Sequence, residues 1–188
     1  GNGVDKFDKI NQKFIHYWYD PKSKSDWTNH RVNTLFEDKS GILWLGTRLG
    51  LVSFNKSDSS FISYGEELQS ISSICEDESG ILWIGTWLYG LFAFNKTSKT
   101  FTNYSHNPRN PESLSHYQVS SVCYDKSGTL WIGTWGGGVN KLDKFSSLFK
   151  KYKHIEGKKG SLYSNNVDCI FGRSNGEIII ASSGIIEK

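Results

Sequence analysis

The segment GILWLGT, residues 41–47, returns as GILWIGT at residues 80–86 and as GTLWIGT at residues 128–134. A fourth, worn copy reads GEIIIAS at residues 176–182. The spacings are 39, 48 and 48 residues. Self-similarity at such a period means one supersecondary unit copied along the chain, which decides the architecture before any residue chemistry is weighed. Shared residues mostly build the scaffold. Function has to be sought in what differs between the copies.

Each copy is preceded by an apolar stretch (residues 32–37, 71–76, 119–124 and 167–171) and a polar turn: DKSG at 38–41, DESG at 77–80, DKSG at 125–128 and RSNG at 173–176. Asp first and Gly last suit a short hairpin closing in a Gly bulge, which predicts positive φ at Gly41, Gly80 and Gly128. The LWIGT run is apolar on successive residues, as in a strand buried on both faces. A second turn carries Gly50, Gly90 or Gly138 and leads into LVSFN, LFAFN or VNKLD. Last comes F-x-x-Y, as Phe61/Tyr64, Phe101/Tyr104 and Phe149/Tyr152. Each unit reads as a meander of four short antiparallel strands. Such a sheet, apolar on both faces, must be sandwiched between neighbours, and radial stacking of such sheets is a β-propeller. Helical repeats are excluded, because the apolar runs lack a 3.6-residue period. The expected fold is all-β, a propeller segment of about four blades, each a four-stranded antiparallel sheet.

Residues 1–17 (GNGVDKFDKINQKFIHY) align with residues 136–152 (GGGVNKLDKFSSLFKKY) at the third and fourth strands of a unit. Residues 1–188 therefore read as a single propeller segment. Residues 1–18 are the outer strands of one blade, 32–64, 71–104 and 119–152 are whole blades, and 167–188 are the first strands of a further one. Propellers usually have about four to eight blades. The chain is thus expected to be part of a longer protein or a small ring. Open strand edges are sticky, so the terminal halves are expected either to join within one chain as a four-bladed ring or to pair between chains in a homodimer.

Aromatic residues make up 14% of the chain, which the repeat explains, since every blade spends several on packing. The net charge of +3 is mild. Lysines cluster between Lys141 and Lys159, but without the interleaved aromatics of a nucleic-acid platform; they read as a solvated outer edge, and no nucleic acid is expected to bind. Cys75 and Cys123 share the repeat position of Phe36 and Phe171 and read as small buried hydrophobes. No spacing suggests metal ligands, and neither metal nor cofactor is expected.

Known propeller repeats differ in their signatures. Trp44, Trp83 and Trp131 are followed by Leu or Ile, not by the Asp of a WD40 repeat. Sialidase-type Asp-boxes place Asp two residues before Gly and five before Trp, whereas Asp38, Asp77 and Asp125 sit three and six before. The pattern V-x-x-I-x-x-D-x-S-G-x-L-W-I-G-T-x-x-x-G-L-x-x-F, followed by F-x-x-Y, closely resembles the two-component regulator propeller repeat. The linker YSHNPRNPESLS, residues 104–115, is similar to those in sensor domains of bacterial hybrid two-component systems. The resemblance covers essentially the whole chain. It implies an extracytoplasmic, periplasmic sensor segment ahead of a membrane helix, a histidine kinase and often a response regulator acting in transcription regulation. It further implies oligosaccharide recognition. The fourth copy departs most, with Ile179 in place of Trp and Ala181–Ser182 in place of Gly–Thr.

In a meander the loop between units and the turn after LWIGT open on one rim, and the DKSG turns open on the other. The DKSG turns barely vary. The opposite rim varies: Arg48, then Trp87 with Tyr89, then Trp135, with His30, Arg31, His116 and Tyr117 brought in by the loops. Aromatic faces beside Arg, Asn and His suit a sugar, whose ring C–H faces stack and whose hydroxyls need planar donors and acceptors. These eight residues are the candidate ligand contacts. The competing account of Trp87 and Trp135 is packing over the neighbouring blade's turn. No catalytic residue is assigned, because the carboxylates lie mainly in turns and no nucleophile motif stands out. A propeller lyase or hydrolase, or a protein-docking scaffold, remains the alternative.

Overall fold

A computed structural model describes residues 3–18, 31–65, 68–143, 148–182 and 185–187. All regular structure among them is β-strand. The first whole sheet comprises β3 (Val32–Glu37), β4 (Leu43–Thr47), β5 (Leu51–Asn55) and β6 (Ser60–Tyr64). The second comprises β7 (Ile71–Glu76), β8 (Ile81–Thr86), β9 (Leu91–Asn95) and β10 (Thr100–Tyr104). β11 (Val119–Tyr124), β12 (Thr129–Thr134), β13 (Gly138–Asp143) and β14 (Lys150–Tyr152) form the third. Each is an antiparallel meander in sequence order. A three-stranded sheet follows, from β15 (Val167–Gly172), β16 (Ile178–Ser182) and β17 (Ile185–Glu187). β1 (Gly3–Asp8) and β2 (Lys13–Trp18) form a separate hairpin. The sheets meet through their first strands, β3 against β7, β7 against β11 and β11 against β15. This is the β-propeller the repeat predicts.

The repeat residues have distinct physical jobs. Gly41, Gly80 and Gly128 have φ of 84°, 80° and 82°, the left-handed conformation expected of them. The glycine inside LWIGT serves a different purpose. A Cβ on Gly46 would lie 2.5 Å from Ile71 Cγ2, and on Gly85 and Gly133 2.6 Å from Cγ1 of Val119 and Val167. Each missing side chain is the seat for the first residue of the next sheet.

A bulge follows that first residue in every inner strand, between Val32 and Thr34, Ile71 and Ser73, Val119 and Ser121, and Val167 and Cys169. A bulged residue leaves its own ladder, and here it reaches the next sheet. Asn33 Nδ2 donates to Ile71 O at 3.1 Å, Ser72 Oγ to Val119 O at 2.6 Å, and Ser120 Oγ to Val167 O at 2.5 Å.

Between sheets lies an aromatic slot. Trp44 and Tyr64 form one wall, 5.6 Å apart, and Phe94 of the next sheet fills the space at 5.8 and 5.2 Å, stacked on Phe101 at 4.5 Å. In the following interface Trp83 and Tyr104 form the wall, and Phe149 meets Tyr104 at 6.0 Å. A fully buried side chain such as Phe94 contributes about 1.5–3 kcal/mol, against about 0.5–1.5 kcal/mol for one neutral hydrogen bond. Apolar packing therefore holds the sheets together, and the Ser and Asn bonds set their register.

Two expectations need correction. The four-bladed ring closed within one chain does not form. β17 takes the outer edge of β16, while β1 and β2 pack on the first whole sheet, Val4 and Tyr17 lying against a cluster of Leu45, Val52 and Phe54. A short local connection closes at far lower entropic cost than one joining the two ends of the chain. The repeat position of Cys75 and Cys123 is also not uniformly buried: Cys75 is buried, Cys123 half-buried, and Phe171 61% exposed. Burial there depends on the sheet that follows, not on the strand itself.

Candidate functional site

The threonine ending LWIGT builds the variable rim. Thr47, Thr86 and Thr134 donate from Oγ1 to the carbonyls of Gly50, Gly90 and Gly138 at 2.8, 2.9 and 2.8 Å. Arg48 and Leu49 are held in the first of these turns, residues 87–89 in the second and residues 135–137 in the third. Backbone bonds tie each turn to the loop before its sheet, Arg48 N to Arg31 O, Trp87 N to Ser70 O and Trp135 N to Gln118 O.

Those loops are themselves repeated. His106 Nδ1 donates to Leu114 O at 2.7 Å, and Ser113 Oγ accepts from Asn107 N at 3.0 Å. His154 Nδ1 donates to Leu162 O at 2.7 Å, and Ser161 Oγ accepts from Ile155 N at 3.1 Å. The sequence signal for these loops is the pattern Y-x-H-x-x-x-x-x-x-S-L, at Tyr104 and again at Tyr152.

Four of the sequence candidates come together. Gly90 N donates to Tyr117 O at 2.9 Å, bringing the turn of Tyr89 against Tyr117. Tyr117 stacks on His116, ring centres 4.5 Å apart, and His116 faces His106 at 6.4 Å. Gly136, with φ of 102°, passes beside the imidazole, where a Cβ would lie 3.7 Å from Nε2. A Cβ on Gly137 would strike Ser115 Oγ at 2.5 Å. The two glycines let the third turn, which begins at Trp135, close down on His116.

Tyr89, Tyr117 and Trp135 are 45, 45 and 40% exposed. Trp87 is half-buried and nearer to packing. Arg31 and Arg48 are exposed and joined to Trp87 through backbone, by the bond of Ser70 N to Arg48 O. His30 lies outside the described residues.

His116 Nδ1 accepts from Gln118 N at 3.2 Å, which leaves Nε2 as the donor of the neutral ring. Burial pushes its pKa below the ordinary histidine value, and the charges of His106 and Lys153 act in the same direction. Below the rim, Asn140 is fully buried where the other sheets carry Val52 and Phe92. Its Oδ1 accepts from Ser115 N at 2.9 Å and its Nδ2 donates to Ser115 Oγ at 2.7 Å. This pair fixes the residue next to His116. The polar residue inside an apolar run was the signal for it.

The opposite rim is structural for a reason beyond turn preference. Asp38 Oδ2 accepts from the Trp44 indole at 2.8 Å, Asp77 from Trp83 at 2.9 Å and Asp125 from Trp131 at 2.7 Å. The other oxygen of each takes two backbone N–H groups of its turn. This is why Asp precedes Trp by six. Burial alone would raise the Asp38 carboxyl, but bonds from Lys96, Ser40 and Trp44 outweigh it and hold the group well below the usual carboxylate range. Lys96, from the second sheet, reaches Asp38 of the first at 2.8 Å and so ties the two sheets, while its bridge to Glu76 at 2.6 Å stays within its own sheet. Among the described residues no group of three or more His, Cys, Asp or Glu side chains could hold a metal.

The model of the two component regulator propeller matches residues 26–48, 65–88 and 113–136. No curated protein matches the chain. Among solved structures, the extracellular domain of the hybrid two component system BT3049 of B. thetaiotaomicron is 27% identical, with a TM-score of 0.76 over 98% of this chain and 23% of its own. The corresponding domain of BT4673 from the same organism is 20% identical, with a TM-score of 0.77 over 98% of this chain and 24% of its own. PorZ, a surface component of the type-IX secretion system of Porphyromonas gingivalis, is 18% identical, with a TM-score of 0.73 over 96% of this chain and 28% of its own. This chain thus spans about a quarter of the length of each. The latter two show the fold alone. The three matched segments each span the first two strands of one whole sheet, so these three sheets carry the two-component regulator propeller repeat.

Proposed function

We propose that this chain is a ligand-sensing propeller segment in the periplasmic part of a hybrid two-component sensor, recognising oligosaccharides at the rim of Tyr89, His116, Tyr117 and Trp135. Its partners would be the remaining blades and a transmembrane histidine kinase with a response regulator that controls transcription. The repeat family and the likeness to the extracellular domain of BT3049 support the sensor class.

The observation that carries the site is the contrast between two sets of aromatic residues. Trp44, Trp83 and Trp131 are each clamped by an aspartate inside the scaffold. Tyr89, Tyr117 and Trp135 are partly exposed to solvent, and Tyr117 stacks on the His116 imidazole. Such faces stack on sugar rings, and the His116 N–H supplies a hydroxyl-directed donor. Signalling requires the ligand to bind one arrangement of the sensor better than the other. The enzyme alternative has less support, since the contact of His16 with Asp5, a His–carboxylate pair, lies on the exposed β1–β2 hairpin.

Calorimetry of the intact sensor against a panel of oligosaccharides tests this. Trp135→Ala and Tyr117→Ala should each weaken binding about tenfold or more, the loss of roughly 1.4 kcal/mol, while melting temperatures hold. Lys126→Ala on the opposite rim should change little. Unaltered affinity in both aromatic variants would remove these residues from the site.

A further inference from the structure

One loop carries two imidazoles whose protein contacts fix opposite tautomers. His106 and His116 lie in the segment that joins the second whole sheet to the third, and both flanking sheets have all four strands. His106 Nδ1 bonds to the Leu114 carbonyl at 2.7 Å. A carbonyl only accepts, so Nδ1 carries the proton and Nε2 of the neutral ring is a bare acceptor. His116 is the reverse. Its Nδ1 accepts from Gln118 N at 3.2 Å, so Nε2 carries the proton and donates. Burial, helped by the charges of His106 and Lys153, disfavours the His116 cation and keeps the ring in this form.

Both rings are half-buried, yet neither Nε2 has a hydrogen-bond partner among the described residues. A polar atom withdrawn from bulk water and left unpaired by the protein calls for water or a ligand to meet it. The missing side chain of Gly136 leaves space beside the His116 nitrogen, where a Cβ would lie 3.7 Å away. The bond of His106 to Leu114 O belongs to the scaffold, since His154 makes the same bond to Leu162 O in the next loop. The second imidazole does not belong to it: Ser164 holds the place of His116 there. His116 is thus an addition to the repeat, and it adjoins Tyr117, stacked on it at 4.5 Å.

The chemistry of the pair narrows its ligand. A metal ion would need the lone pair of His116 Nε2, which the bond from Gln118 N denies it. A carboxylate or sulfate could accept from His116 but has no proton to give to His106 Nε2. A hydroxyl can do either. The ring centres are 6.4 Å apart, with the planes within 29° of parallel. Two hydrogen bonds of about 2.9 Å laid end to end span less than that. The pair therefore suits two oxygens on neighbouring carbons better than one oxygen shared between the rings.

We infer, building on the rim as an oligosaccharide site, that His106 and His116 together hold a vicinal diol of the sugar. One hydroxyl accepts from His116 Nε2–H, and its neighbour donates to His106 Nε2. His106 thereby joins the ligand contacts, and the unit recognised is a sugar with free hydroxyls on adjacent carbons.

Asparagine separates the ligand contact from the structural bond at each position. In His106→Asn the side-chain N–H can keep the bond to Leu114 O, and in His116→Asn the side-chain oxygen can keep the bond from Gln118 N; each loses Nε2. Calorimetry of the intact sensor should use neutral oligosaccharides of glucose, galactose and mannose, each joined through the fourth or through the third carbon. Internal units joined through the fourth carbon keep free hydroxyls side by side on the second and third; those joined through the third keep none adjacent. The fourth-carbon series should bind more tightly. Each Asn variant should weaken that binding about three- to tenfold, the loss of one neutral hydrogen bond, at the parent's melting temperature. The linkage comparison needs no substitution and decides the matter if a variant unfolds. A preference for the third-carbon series would overturn the diol contact and leave the rim reading standing. So would unchanged affinity in both Asn variants where Trp135→Ala weakens binding. Binding indifferent to all three substitutions, or absent across the panel, would overturn both readings.

Discussion

Gly85→Ala isolates what holds one sheet to the next. Gly85 lies in the interior of β8 and pairs with Leu91 on one side and Ser73 on the other. Its φ is not in the left-handed region, so alanine brings no backbone strain; the cost is steric. The added methyl would sit 2.6 Å from Val119 Cγ1, 3.0 Å from Ser72 Oγ and 3.3 Å from Val119 Cβ. Val119 is fully buried and anchored by the Ser72 bond to its carbonyl, so it cannot swing away. Overpacking of this kind costs about 1–3 kcal/mol, or about 2–12 °C in melting temperature for a chain of this size. Val119→Ala removes the obstructing methyl and by itself should cost about 1–3 kcal/mol through the cavity it leaves. In the double variant the new methyl enters that space, so the two costs should fall short of additive by about 1 kcal/mol or more. Urea unfolding followed by circular dichroism on the four proteins measures the coupling. Strict additivity, or a Gly85→Ala protein as stable as the parent, would refute the close-approach account of the LWIGT glycine.

Asn140→Leu should destabilise by about 1–3 kcal/mol, because Ser115 N–H and Oγ lose their buried partner; urea midpoints check this, and no change would mean water replaces the amide. The folded-state pKa values of Asp38 and Asp125 are depressed. Their contribution is therefore full above the unfolded carboxylate value near 3.9 and is lost as pH falls from there toward the folded values. Melting temperature should decline below about pH 4, and Asp38→Asn should flatten that decline. A variant with the parent's acid profile would show that these turns do not drive it.

The repeat made the propeller legible because its word encodes local geometry: a tight turn needing Gly41, Gly80 and Gly128, and a strand apolar on both faces. These are short-range demands that any copy reveals. The rim was legible as a region for the complementary reason. Where the scaffold is constant, variation such as Trp87 against Arg48 stands out.

What the sequence could not specify is which residues meet across sheets. Asp38 reads as a turn former, yet its second oxygen is spent on the indole of Trp44 six residues on, a contact that depends on the hairpin folding back over itself. Gly85 reads like any strand glycine until Val119, 34 residues further on, is seen to occupy its missing side chain. Tyr89 lies in one turn and His116 with Tyr117 in a loop far along the chain, and only the bond of Gly90 N to Tyr117 O and the approach of Gly136 to the His116 ring bring these segments and the turn of Trp135 to one place. Local pattern sets the strands and turns, because those depend on dihedral preference and alternation along the chain. Burial, pairing across sheets and the makeup of the rim depend on what the next sheet brings into contact, and that is settled only when the sheets pack.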